Sequence, residues 1–226
     1  MANIGFISLG CAKNQVDCER MMYRVQEAGH TVCAGIEGCD VVVINTCGFI
    51  DSAKSEAIDY ILMTAGLKAQ GSVGKILVTG CLSQRYQEEI LQELPEVDGV
   101  LGTGSYTQVV AAIDALLQDQ TVVDFGDINA PEEETGRILT TPEHYAFLKI
   151  AEGCDNRCGY VGNKQLEPPH QSKRIVHTET GSGCNNVNKE YDDKTNSAVF
   201  FYLFHMQSSP ICSDFLISRF NISSAS

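Results

Sequence analysis

The chain has 226 residues, with 29 Asp and Glu against 16 Lys and Arg, and its net charge of −13 opposes binding to a phosphate backbone, which needs clustered cations. Nucleic acid is therefore not the expected partner. The longest apolar run, AVFFYLF at 198–204, falls short of the roughly 20 residues a membrane-crossing helix needs.

The opening MANIGFISLG has no charged segment or cleavage site of the signal-peptide kind, so the expected location is a reducing cytoplasm, with the 10 cysteines as thiols rather than a disulfide scaffold. The charge is uneven. Met1 to Tyr160 carries 23 acidic and 10 basic residues, whereas Val161 to Ser226 carries 6 of each. That acidic surface suits a basic protein substrate better than RNA.

Short Val- and Ile-rich runs alternate with helical patterns over the first 120 residues, as in βαβ units around a buried parallel sheet. In chain order the pattern predicts a strand at IGFISL (4–9), a helix over 17–29 that stops at Gly29, and a short strand at HTVC (30–33). A strand at VVVINT (41–46) follows, then a helix over 51–66 with Asp51 as its N-cap. KILVTG (75–80) is the next strand. A helix from Ser83 to Leu94, ended by Pro95, a strand at DGVLG (98–102) and a helix over about 105–118 complete the set.

Right-handed crossovers make this an α/β fold, a doubly wound parallel sheet occupying residues 1–125. Residues 126–144, rich in Pro, Thr and acidic side chains, read as an exposed linker. YAFLKIAEG then begins a second domain, assigned to 145–160. From 161 to 226, where Ser and Asn fill 16 of 66 positions, no period persists and no globular plan is expected.

Cys11, Cys47 and Cys81 each follow a predicted strand. The C-terminal ends of parallel strands lie along one sheet edge, where α/β proteins place ligands. Three thiols distant in sequence are thus expected together, each ahead of a helix N-terminus that lowers a thiol pKa. Soft thiolates select iron–sulfur clusters, zinc or monovalent copper. One such cysteine alone would be read as a small core hydrophobe; three at equivalent positions favour ligation.

Cys18, Cys33 and Cys39 read as packing or surface residues, and Cys184 and Cys212 receive no role. Cys154 and Cys158 stand four apart, like the first two ligands of a C-x-x-x-C-x-x-C loop. The third slot is Val161, which offers no lone pair. Nucleotide or flavin binding by the sheet is a lesser alternative, because the first turn, SLGCAKN, is not G-x-G-x-x-G.

The stretches SLGCAKNQVDCERM, VINTCGFIDSAKSEAID and VTGCLSQRY resemble the N-terminal domain of the radical S-adenosylmethionine methylthiotransferases. FLKIAEGCDNRCGY is similar to the start of their radical domain. The SLGC-x-KN-x-VD opening and NTCGFI resemble the RimO branch, which methylthiolates an aspartate of a small-subunit ribosomal protein.

The resemblance implies that Cys11, Cys47 and Cys81 hold an auxiliary [4Fe–4S] cluster. It implies that Cys154 and Cys158 are two of three ligands of a second cluster, which cleaves S-adenosylmethionine. Lys13, Asn14 and Asp17 match the motif as well, where shaping a loop or capping a helix accounts for them. A barrel-type radical domain needs about 200 residues, and only 66 follow position 160. The expectation is a fragment of that barrel, an irregular tail and a truncated chain inactive alone. The alternative is a stand-alone cluster-binding or sulfur-carrier module without catalysis.

Overall fold

The computed structural model describes residues 1–48, 50–130, 135–142 and 145–149, together with the backbone of 151–152, 171–172 and 201–203. Its centre is a six-stranded sheet of β1 (Asn3–Ser8), β2 (Thr31–Val32), β3 (Cys39–Thr46), β4 (Val73–Gly80), β5 (Gly99–Gly104) and β6 (Val122–Gly126). The strand order is β2-β1-β3-β4-β5-β6, and every pairing is parallel.

Five helices connect the strands: α1 (Ala12–Glu27), α2 (Asp51–Ala69), α3 (Cys81–Tyr86), α4 (Glu89–Glu93) and α5 (Val109–Leu117). The doubly wound expectation holds. Successive side chains of a strand point to opposite faces, so VVVI in β3 feeds two cores at once. Val41 and Val43 join Ile4, Leu77 and Leu101 beneath Met21 and Val25 of α1 and Ile113 and Leu116 of α5. Val42 and Ile44 join Ile76, Val78 and Val100 beneath Ala57 and Ile61 of α2, Leu82 of α3 and Ile90 of α4. Each such aliphatic side chain contributes about 1.5–3 kcal/mol when removed from water. Two-sided burial is why these strands read as unbroken apolar runs.

Several boundaries differ from the pattern. The single helix expected over 83–94 is two short ones, because the chain turns at Gln87 with φ 47. Its apolar spacing is too short to show such a break. α1 begins at Ala12 rather than 17, and α2 continues through Gly66 to Ala69, with Ile50 rather than Asp51 as its N-cap. Gly29 does end α1, at φ 88. The edge strand β6 was hidden in a sequence whose residues are only half-buried or exposed.

The stretch expected to be an exposed linker is not wholly free. Its residues 135–142 lie against α1, with Arg137 and Ile138 partly buried. Beyond it, β7 (Ala146–Leu148) pairs antiparallel with β10 (Phe201–Leu203), and β8 (Ala151–Glu152) with β9 (Gln171–Ser172). The expected barrel fragment lies largely outside the described residues.

Candidate functional site

In a sheet ordered 2-1-3-4-5, chain direction across the sheet reverses between β1 and β3, and ligands favour the crevice beyond the strand ends there. Cys11 and Cys47 flank that crevice. Cys11 is the N-cap of α1, Cys47 directly follows β3, and Cys81 is the first residue of α3, directly after β4. Cys11 is exposed, and Cys47 and Cys81 are half-buried.

Two glycines allow the approach. Gly10 has φ 98, and a Cβ there would stand 2.7 Å from Cys47 Cβ and 3.4 Å from Cys47 Sγ. Gly80, at φ 101, lies so close to β3 that a Cβ would run into the Thr46 carbonyl oxygen. Both conformations suit glycine, which lacks the Cβ that forbids them.

One side chain spans the three turns. Asn14, in the first turn of α1 and 3% exposed, donates from Nδ2 to the carbonyls of Leu9 at 3.2 Å and Thr46 at 3.0 Å. Its Oδ1 accepts from the Cys81 thiol at 3.7 Å. The Asn14 carbonyl in turn accepts from Asn45 Nδ2 at 2.7 Å. Arg85 closes the same side by donating to the Gly48 carbonyl at 3.2 Å.

The electrostatics correct one expectation. Helix N-termini were expected to lower these thiols' pKa values, yet Cys81 is pushed up to about 12, first by burial and then by the neighbouring Cys47 and Cys11 sulfurs, with Lys13 opposing. Like charges and a dry site disfavour the thiolate. An iron–sulfur group would bring the cationic metal that such thiols need before they ionise.

The donor set fits that group: three soft thiols on one sheet edge. Asn45 Oδ1 and Thr79 Oγ1 beside them are buried without a hydrogen-bond partner among the described residues, and unsatisfied groups of this kind call for a structural reason. Among the described residues no three His, Cys, Asp or Glu side chains converge to hold a metal ion. Cys154, Cys158 and Val161 lie outside the described residues.

Comparison with known proteins gives the same region a family. Residues 3–102 match the uncharacterized protein family UPF0004. Proteins named ribosomal protein uS12 methylthiotransferase RimO align over more: that of Syntrophomonas wolfei is 49% identical over 175 residues, 76% of this chain and 40% of its own length. Those of Thermoanaerobacter sp. and Caldicellulosiruptor saccharolyticus are 42% and 46% identical, over 77% of this chain and 40% of theirs. Over this region the chain is similar to proteins of that name. It spans about two fifths of the length of these curated relatives.

No helix among the described residues is long and apolar enough to cross a membrane. The residues that sequence reasoning passed over lie on α1. Glu19, 1% exposed, accepts from the Thr140 N–H at 2.8 Å and hydroxyl at 2.7 Å, and its Oε2 is 3.1 Å from Arg137 Nε. Asp17 Oδ1 is 2.6 Å from Lys149 Nζ, with both side chains buried. Glu19 was legible only as a charged position in a helix whose next turn is apolar, and Asp17 only as a motif residue assigned to loop shaping or helix capping. Their partners, more than 115 residues away, give no sequence signal.

Proposed function

We propose that this chain carries the sulfur-donor half of a methylthiotransferase that modifies an aspartate of the small-subunit ribosomal protein uS12. The observation that supports the reading is that Cys11, Cys47 and Cys81 each follow one of three adjacent parallel strands, in a chain whose relatives bear that enzyme's name. In this reading the three thiols hold a [4Fe–4S] cluster, which when bound supplies an iron with an open position for the sulfur to be transferred.

The chain's own residues do the rest. Gly10 and Gly80 let the cysteine turns approach, Lys13 offsets negative charge near Cys81, and half-burial of Cys47 and Cys81 limits water. Cys154 and Cys158 are the proposed first ligands of the radical cluster, whose reaction consumes S-adenosylmethionine. Val161 cannot be the third. This supports the second reading, a cluster-binding or sulfur-carrier module without catalysis of its own.

The readings part on stoichiometry. Anaerobic reconstitution of the full chain with ferrous iron and sulfide, followed by iron analysis, should give one cluster and no 5′-deoxyadenosine from S-adenosylmethionine if the chain acts as a module. Two clusters and 5′-deoxyadenosine would make it a complete radical enzyme. Joint replacement Cys11→Ser, Cys47→Ser and Cys81→Ser should abolish the first cluster; unchanged iron would refute the assignment.

A further inference from the structure

We infer that Asn14 is a positioning residue, holding the three cysteine-bearing turns in mutual register through one buried amide. The inference deepens the proposed function and rests on it for the role of the thiols. Its geometry stands independently. Leu9 lies two residues before Cys11, Thr46 immediately before Cys47, and Cys81 is contacted directly, so the carboxamide touches each turn once.

The orientation of the amide is fixed by its surroundings. Two carbonyl oxygens face Nδ2, and only a donor is tolerated there, so Oδ1 must be the atom turned toward Cys81. Asn45 secures the Asn14 backbone from the neighbouring strand end. Loss of the amide would leave the Leu9 and Thr46 carbonyls without this donor and free α3 to move relative to α1.

The test uses the full 226-residue chain carrying Asn14→Ala or Asn14→Ser, the latter retaining one donor. Val100→Ala is the control, a buried deletion in β5 that destabilises without touching the thiols. Two readouts are taken: the rate at which iodoacetamide alkylates Cys81 in iron-free protein, by peptide mass spectrometry, and the iron retained per chain after reconstitution.

Asn14→Ala should alkylate at Cys81 about tenfold faster than Val100→Ala, as expected for one buried hydrogen bond lost. It should also retain iron more weakly, by less than about tenfold, through loss of the Leu9 and Thr46 bonds alone, because a Cys81 that ligates iron has no S–H for Oδ1 to accept. Asn14→Ser should fall between Ala and the parent. If Asn14→Ala does not fold, the Ser variant decides by the same comparison. Alkylation within about twofold of the control would overturn the inference, since Asn14 would then be only another core residue. Parent protein that binds no iron would instead refute the cluster assignment, and the alkylation comparison would still decide Asn14's role.

Discussion

Cys18 is buried in α1 against the core that it shares with Met21 and Ile4, and burial pushes its thiol up to about 12. Its folded pKa thus lies above the unfolded value near 9, so the native state keeps the proton longer. Its contribution is complete below pH 9 and is lost as pH rises toward 12. The slope is about 1.4 kcal/mol per pH unit. Urea unfolding at pH 7.5 and pH 10 should show a smaller alkaline loss in Cys18→Ala than in the parent, even though the variant is less stable at both. At the site, Gly80→Ala should cost roughly 1–3 kcal/mol, because φ 101 and the Thr46 carbonyl both oppose a Cβ. Chemical denaturation measures it; a neutral result would mean that β4 can withdraw from β3.

At the scale of elements, α1 is the hub. Its start carries Cys11 and Asn14, its middle is clamped by the 135–142 segment through Glu19, and Asp17 grips Lys149 just past β7. A buried carboxylate removed from its partners costs about 3–5 kcal/mol. Glu19→Ala should therefore detach the segment, and limited proteolysis should cut between 127 and 145 far faster than in the parent while the sheet stays folded. Equal cleavage rates would show that the clamp holds nothing. Sequence patterning could not foresee the clamp. It recognised Thr140 and Arg137 as polar residues in a Pro- and Thr-rich stretch, and such composition normally means solvent. It likewise merged α3 and α4, since a turn at Gln87 leaves the apolar spacing nearly intact.

For the whole molecule, both cores among the described residues are built from residues between Ala2 and Ile138. A fragment of residues 1–149 should keep the Tm of the full chain within a few degrees, about the shift that 1 kcal/mol causes in a domain of this size. A much larger fall would place essential contacts beyond 149. The excess acid before residue 160 also makes a prediction. Binding of the proposed basic ribosomal-protein substrate should weaken as salt rises past about 0.15 M, where the screening length drops to roughly 8 Å. Salt-independent affinity would remove charge from the account of recognition.

The sequence by itself determined the alternation of strands and helices, because burial on both faces forces unbroken apolar strands and one-sided helices. It also marked Cys11, Cys47 and Cys81 as equivalent, because each follows a strand end, and chain direction in a parallel sheet makes such ends neighbours. Tertiary structure alone decided the order of the strands, the raised pKa of Cys81, the span of Asn14 and the clamp on Glu19. Each of these depends on contacts between residues far apart in the chain, and no local pattern records which distant carbonyl a buried amide will meet.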